Sequence, residues 1–148
     1  MKKELMKLLK KSKISHVKLT YCGSGDDGNM EFESLQIGRK VYDASYDYEA
    51  RQYTLTAKDK STFIAPTVNV TEGKDRFIDG KWVKESTKVD KSLIDYIIDF
   101  GYSAVEDMGD WVNNEGGNGE INIDAKKNIV EVDHYQNRNE QDYSQKVL

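Results

Sequence analysis

The most constraining feature of this sequence is an apolar face with helical spacing in residues 90–108. Ser92 and Asp95 resemble a capping box at the start of this segment, and Gly109 follows its last apolar residue. The apolar residues at helical spacing are Leu93, Ile94, Ile97, Ile98, Phe100, Ala104, Val105 and Met108. Because this is the only long apolar face in the chain, we expect the helix to cover a sheet formed by other residues.

Most of the remaining chain alternates apolar and polar residues, a pattern typical of half-buried strands. Val17, Leu19 and Tyr21 alternate in this way before a glycine-rich loop at residues 23–28, which predicts a first hairpin. Further strand-like runs are residues 40–48, 51–57, 62–70, 77–83, 121–123 and 129–132.

Two turn-forming signals refine this pattern. Pro66 cannot donate a backbone hydrogen bond, so residues 62–70 are predicted to form an edge strand. Asp79 and Gly80 supply the positive φ angles of a two-residue turn, so residues 77–83 are predicted to form a tight hairpin.

The sequence therefore predicts an α+β fold, as a single domain of residues 1–148. An antiparallel meandering sheet packs against the main helix, and a short amphipathic helix at residues 2–13 packs at one end. Residues 136–148 are predicted to be a frayed tail. Cys22 is the only cysteine and lies in a strand pattern, which favours a core position and a reducing, cytoplasmic compartment.

The distribution of charge is uneven, although the net charge is only −4. The first thirteen residues contain six lysines and one glutamate. Residues 92–124, in contrast, contain eight acidic residues and no lysine or arginine. This local excess of negative charge needs either a folding explanation or a functional one.

Four of these carboxylates align on the predicted main helix at about 100° per residue. They are Asp95, Asp99, Glu106 and Asp110. Like charges on one helix face repel, and the helix dipole disfavours negative charge near the C-terminus. The stripe is either a solvated face or a surface that binds a basic partner; we predict a binding surface.

The glycine-rich loop also contains carboxylates that suggest a second kind of site. Asp26, Asp27 and Glu31 are candidate ligands for a hard cation, although ordinary turn chemistry is the preferred interpretation. An enzyme could combine these residues with a second acidic set and with His134 as base or ligand. The second set is Glu115, Glu120 and Asp124. No motif of a known catalytic class is present, so we predict no catalytic residues and no cofactor.

Three segments together resemble a known group of proteins. Residues 23–31, residues 111–119 and the hairpin at residues 124–134 are similar to an uncharacterised domain family of bacteria and their phages. That family has a GSGDSG-like loop, and a tryptophan followed by a loop rich in Asn and Gly. The chain departs from the pattern at Asp27, where the family has a small residue. The resemblance implies a phage or mobile-element setting, and it implies no particular reaction.

These observations predict a non-catalytic protein-binding module that recognises a basic surface on a partner protein. Its more specific form is an inhibitor of a host nucleic-acid-handling or defence enzyme, with an acidic surface that imitates nucleic acid. A structural or virion component and a metal-dependent hydrolase with an acidic cluster are the alternatives. We expect no direct DNA binding, no membrane span, and location in the cytoplasm, which is the host's if a phage encodes the chain.

Overall fold

The computed structural model describes residues 1–25, 27–108, 112, 114–136 and 142–148, with only the backbone at 114, 115 and 142. Within these ranges the chain forms two helices and ten strands. In order they are α1 (Lys2–Lys11), β1 (Ile14–Gly25), β2 (Asp27–Ile37), β3 (Lys40–Asp47), β4 (Gln52–Ala57), β5 (Thr62–Ile64), β6 (Thr67–Ile78), β7 (Lys81–Ser92), α2 (Leu93–Val105), β8 (Asn114–Asp124), β9 (Ile129–Gln136) and β10 (Asp142–Val147). Neither of these helices is long and apolar enough to cross a membrane.

Eight of the strands form one antiparallel sheet, in the order β10-β9-β8-β1-β2-β3-β4-β5. The chain begins this sheet near its centre with β1 and adds β2 to β5 outward on one side. After α2 it returns to the free edge of β1 and adds β8 to β10 on the other side. The predicted α+β fold with an antiparallel meander is therefore confirmed.

The core lies between one face of this sheet and the two helices. Alternation along β1 buries Val17, Leu19 and Tyr21 and turns their neighbours to the opposite face. Helix α1 packs on this face and contributes its buried residues Leu5, Met6 and Leu9 to the core. The larger helix α2 buries Leu93, Ile94, Tyr96, Ile97, Phe100, Gly101, Ala104 and Val105. We call the face under the helices the inner face and the opposite one the outer face.

The main helix is shorter than the predicted segment of residues 90–108. Ser92 is its N-cap, as predicted, and the Ser92 side chain accepts a hydrogen bond from the Ile94 amide. Residues 90–92 do not join the helix because they pair with β6, where Asp90 lies opposite Asn69. Met108 lies beyond the helix in a turn and packs only partly against the core.

Three other local predictions need correction. Cys22 is exposed, because it follows the inward-facing Tyr21 and so points to the outer face. The predicted loop at residues 23–28 is largely strand, with Ser24 opposite Asp27. Pro66 divides the predicted edge strand in two, leaving β5 at the sheet edge and β6 in a separate hairpin.

The C-terminal segment also differs from its prediction as a frayed tail. Asp142–Val147 forms β10, which pairs with β9 over its whole length. A hydrogen bond from the Leu148 amide to the Val130 carbonyl (2.8 Å) extends this attachment. Lys146 also binds the Asp107 carboxylate after α2. The prediction was wrong because it relied on apolar alternation to recognise a strand. An edge strand has only one neighbouring strand and needs little apolar alternation.

The strands β6 and β7 form a two-stranded hairpin, which we call the arm. Its turn is the predicted one, since Asp79 (φ 50°) and Gly80 (φ 78°) both have positive φ. Val70, near the base of the arm, is buried in the core. From Thr71 to Lys88 every residue is exposed except the half-buried Glu85, so the arm extends away from the body.

The packing of α2 on the sheet leads to the first prediction. Ile97 is fully buried, so Ile97→Ala should lower the free energy of unfolding by about 2–5 kcal/mol. Ser103→Ala, at an exposed position on the same helix, should change it by no more than about 0.5 kcal/mol. Urea denaturation of both variants measures the difference. Equal stabilities would show that α2 does not pack as described.

Candidate functional site

Three of the four carboxylates of the predicted helix stripe lie within the described residues. Asp95 and Asp99 lie on α2, but Glu106 is already its C-cap and Asp110 lies outside the described residues. Asp95 accepts a hydrogen bond from the Tyr53 hydroxyl (2.9 Å). Burial, reinforced by this hydrogen bond, raises the pKa of Tyr53 to about 12. Of the four predicted carboxylates, α2 itself carries Asp95 and Asp99.

Basic residues from outside the acidic segment also reach these carboxylates. Lys91, at the end of β7, lies 2.6 Å from the Asp99 carboxylate and 3.3 Å from Glu72. The hydrogen bond to Asp99 raises the pKa of Lys91, although partial desolvation opposes it. Sequence counting placed no lysine in residues 92–124, but the fold brings Lys91 beside the helix. The negative charge of this face is partly neutralised.

The candidate cation ligands of the first loop lie far apart along β2. Asp27 pairs with Ser24 and Glu31 pairs with Thr20, and Asp26 lies outside the described residues. Glu31 is four strand positions after Asp27, which places their Cα atoms about 13 Å apart. Within the described part of the chain, no group of three or more potential metal ligands is present.

The fold also separates the members of the proposed catalytic cluster. Glu31, Glu120 and Asp124 face outward, whereas His134 faces inward and is only 1% exposed. The side chain of Glu115 lies outside the described residues. Since His134 and the carboxylates lie on opposite faces of the sheet, this arrangement cannot serve as an acid–base centre.

His134 instead belongs to a hydrogen-bonded network on the inner face. Its Nδ1 lies 2.6 Å from the Tyr21 hydroxyl, and its Nε2 lies 3.0 Å from Gln136 Oε1. Gln136 is oriented by its own donation to the Gly116 carbonyl (2.9 Å), so the Gln136 oxygen accepts from His134. In this arrangement Nε2 is a donor to Gln136. Burial, with a contribution from the Asp133 charge, raises the pKa of Tyr21.

A concentration of negative charge lies on the outer face of the sheet. It consists of carboxylates from three strands, which we call the acidic outer face: Glu31, Glu33, Glu120, Glu131 and Asp133. Across neighbouring strands, Glu31 lies opposite Thr20, Thr20 opposite Glu120, and Glu120 opposite Asp133. Strands lie about 4.8 Å apart, so this row of side chains spans about 14 Å.

Neutral donors hold several of these carboxylates in place. The Thr20 hydroxyl donates to Glu33 (2.8 Å), and the Asn29 amide donates to Glu31 (3.1 Å). Asp133 accepts from the Tyr143 hydroxyl (2.7 Å) and from the Gln145 amide (2.8 Å). The hydrogen bond to Asp133, with smaller contributions from burial and nearby charges, raises the pKa of Tyr143 to about 12. These donors order the carboxylates without neutralising them.

Within the described part of the chain, Lys18 is the cation that forms an ion pair with one of these carboxylates. Lys18 approaches Glu120 to 3.7 Å, and both side chains are nearly half exposed. An exposed pair at this distance contributes little energy and is screened by salt. The acidic outer face therefore keeps a clear excess of negative charge.

A groove of about 350 Å³ opens at one end of the outer face. Its apolar lining includes Val41, which is 50% exposed, and Ile129. Its charged lining consists of Asp124, Glu131, Lys18 and Lys127, with His16 beside them. His16 Nε2 lies 3.4 Å from the Asp124 carboxylate. A backbone hydrogen bond from Lys127 and the nearby His16 lower the pKa of Asp124, against the effect of desolvation.

Sequence analysis grouped Glu31 with Glu120 but did not find the rest of this surface. Glu131 and Asp133 join them through the register of β8 with β9. Glu33 is the extra residue of a bulge in β2, opposite Lys18 and Leu19 of β1. The sequence did contain a signal for this surface. The strand residues that alternate with the inward-facing apolar residues are repeatedly acidic, and these residues form the outer face.

Comparison with known proteins gives no further assignment. No protein-family model, curated protein or solved structure matches the chain. The resemblance to a bacterial and phage domain family therefore stays a prediction.

The crowded surroundings of His134 lead to the second prediction. A Cβ atom at Gly119 would lie 2.2 Å from the Asp133 carbonyl oxygen and 2.5 Å from the Tyr21 hydroxyl. Gly119→Ala should therefore lower the free energy of unfolding by at least about 1–3 kcal/mol. Gly73→Ala on the arm, where a Cβ atom would meet nothing within 4 Å, is the matched control and should keep or slightly raise it. Thermal or urea unfolding that ranks the two equally would contradict the packing.

Proposed function

We propose that this chain is a non-catalytic protein-binding module whose acidic outer face binds a basic surface on a partner protein. The observation that supports this is the way the carboxylates are held. Glu31, Glu33 and Asp133 accept hydrogen bonds from neutral side chains, so they are positioned while their charge persists. Folding alone gains little from this arrangement, because like charges on adjacent strands repel.

The electrostatics favour recognition of a basic protein. A surface with one sign of charge accelerates encounter with an oppositely charged partner and rejects partners of like charge. Positioned carboxylates also lose less conformational entropy on binding than mobile ones do. The same negative charge disfavours direct binding to nucleic acid, whose phosphates are themselves anionic.

An inhibitor of a nucleic-acid-handling enzyme is the specific form of this proposal. Such enzymes present rows of basic side chains to the phosphate backbone. A row of carboxylates at strand spacing, from Glu31 through Glu120 to Asp133, offers fixed negative charges to such a surface. The phage or mobile-element setting implied by the sequence resemblance is consistent with that role.

The third prediction concerns this acidic outer face. The fourfold variant Glu31→Gln, Glu33→Gln, Glu120→Gln and Glu131→Gln should stay folded, because all four side chains point away from the core. Immobilised wild-type chain should retain a partner from a lysate of the source cells at low salt, and the variant should retain at least tenfold less. Retention by wild type should fall as ionic strength rises. Quantitative mass spectrometry of the retained proteins measures both effects.

A second fourfold variant with the same change in charge is the matched control. It combines Asp95→Asn, Asp99→Asn and Glu106→Gln, which remove the helix carboxylates, with Glu49→Gln. This variant should retain the partner as wild type does. Loss of retention in this control alone would locate the binding surface on the helix. Equal retention by all three proteins at every salt concentration would refute an electrostatic binding surface on this chain.

A further inference from the structure

A second charged surface, of opposite sign, lies along α1. Lys3, Lys7 and Lys10 share one flank of this helix, because at about 100° per residue they fall within about 60° of one another. All three side chains are exposed. Glu4, the only acidic residue of α1, points instead to α2, where it accepts a hydrogen bond from the Tyr96 hydroxyl (2.9 Å). The lysine flank therefore has no carboxylate of its own.

This flank forms one wall of a groove. Two recesses, of about 470 and 340 Å³, lie between the α1 segment and the turn at residues 125–128, and they meet at Lys10. No acidic residue of the described chain lines either recess. We call the two recesses together the lysine groove, after the lysines that line it: Lys3, Lys7, Lys10, Lys13 and Lys126.

The charge of the lysine groove is not cancelled within the chain. Lys10 donates to the neutral Asn128 side chain (2.8 Å), which positions the ammonium group and leaves its charge in place. Lys2, at the margin of the groove, donates to an oxygen of Leu148 (2.6 Å). Among the residues that the structure describes, none forms an ion pair with the five lysines of the groove.

The fold keeps the lysine groove apart from the acidic outer face. Helix α1 packs on the inner face of the sheet, which is the opposite side. Asp124 lies close to the turn in sequence, but it faces outward and lies 3.4 Å from His16. The net charge of −4 therefore describes neither surface, because the chain is negative on one side and positive on the other.

A row of exposed amines along a groove suits a chain of phosphates. Lysine binds phosphate as a point charge and needs no fixed geometry. From Lys3 to Lys10 the helix rises about 10 Å. A nucleic-acid duplex carries one negative charge per about 1.7 Å of its axis, so several phosphates come within reach of this row.

The lining of the groove disfavours two other anionic partners. A helix that binds a membrane inserts its apolar face, whereas α1 buries Leu5, Met6 and Leu9 in the core. Single-stranded nucleic acid is held largely by bases that stack on aromatic rings. Among the described residues, no aromatic side chain lines either recess. A duplex needs neither feature, because its phosphates are all on the outside.

We propose that the lysine groove binds the phosphate backbone of a nucleic-acid duplex, without regard to base sequence. The groove lysines pair with phosphate oxygens and release the counterions that these phosphates hold. The expectation of no direct DNA binding then applies to the acidic outer face alone.

This inference goes beyond the proposed function, and duplex binding does not depend on it. Because the two surfaces lie on opposite sides of the sheet, both can be occupied at once. A chain bound to a duplex would hold its acidic outer face towards proteins that act on the same duplex. Only this last step rests on the proposed function.

Fluorescence anisotropy of a short labelled DNA duplex tests the inference with the purified chain alone. Wild type should bind at low salt, and the slope of log K against log salt should be about −4, as expected when four or five phosphates are contacted. The triple variant Lys3→Gln, Lys7→Gln and Lys10→Gln should bind at least tenfold more weakly. Its slope should be smaller by about 2.7, because three contacts are lost.

Two further variants separate the groove from total charge and from helix structure. Lys58→Gln, Lys74→Gln and Lys81→Gln together remove three exposed lysines outside the groove and should leave binding as in wild type. Arginine at positions 3, 7 and 10 keeps the charge and should also keep binding. Circular dichroism should show the same helix content in all of these proteins, since every substituted side chain is exposed.

Several results would overturn the proposal. They are no binding of the duplex by wild type at low salt, equal losses in the groove variant and in the charge-matched control, and tighter binding to a single strand of the same length. Binding to vesicles of phosphatidylcholine and phosphatidylserine without binding to the duplex would also overturn it, and would assign the groove to a lipid surface.

The fourfold glutamine variant of the acidic outer face separates this inference from the proposed function. It should bind the duplex at least as tightly as wild type, because it lacks four repelling charges. If wild type does not bind the duplex but partner retention depends on the outer face, the groove inference is wrong and the proposed function stands. If the duplex binds through the groove but partner retention is independent of the outer face, the reverse holds.

Discussion

The close contact of α2 with the middle of the sheet is the interaction on which the rest of the structure depends. Gly101 faces Leu19 of β1 and Met30 of β2, and a Cβ atom there would lie 2.9 Å from each side chain. The absence of that atom lets the helix backbone approach the two central strands. Ile97 and Phe100 of the same helix are buried in one core with the inward-facing residues of the sheet, so the apolar residues of the sheet are committed to one face.

That commitment determines the composition of the outer face. A strand residue that follows an inward-facing apolar residue must point outward, so the register of β1, β2, β8 and β9 decides which polar residues meet. The sequence of this chain places carboxylates at many of those positions and neutral donors at others. The Asp133 carboxylate, for example, is oriented by Tyr143 and Gln145 from the edge strand β10. The edge strand therefore shapes the charged surface as well as completing the sheet.

Sequence reasoning succeeded where a residue's role depends on its near neighbours. The apolar spacing of α2, the cap at Ser92 and the turn at Asp79 and Gly80 are local properties, and the structure confirms them. The prediction that Cys22 lies in the core was wrong because it relied on the residue type. The alternation of the strand turns Cys22 to the outer face. The length of the arm was missed because both of its faces are exposed, so most of its sequence carries no apolar alternation.

The acidic outer face could not be predicted in the same way. Glu31 and Glu120 are separated by more than half of the chain and meet only because β1 pairs with both β2 and β8. The helix stripe, by comparison, was visible in the sequence because its members lie one or two helical turns apart. The fold then weakened that stripe by ending α2 at Val105 and by bringing Lys91 to Asp99. Long-range pairing decides which charges remain uncompensated.

The exposed thiol of Cys22 offers a direct measurement of this central claim. Cys22 is the only cysteine, and it lies on the outer face between Asn29 and Asn118, one row from Glu31 and Glu120. In dilute solution, we expect a cationic methanethiosulfonate reagent to modify it at least several times faster than an anionic one of similar size. The ratio of the two rates should approach unity as salt screens the surface over about 10 Å at 0.1 M. Equal rates at low salt, or a ratio that does not change with salt, would contradict an uncompensated negative surface on this face.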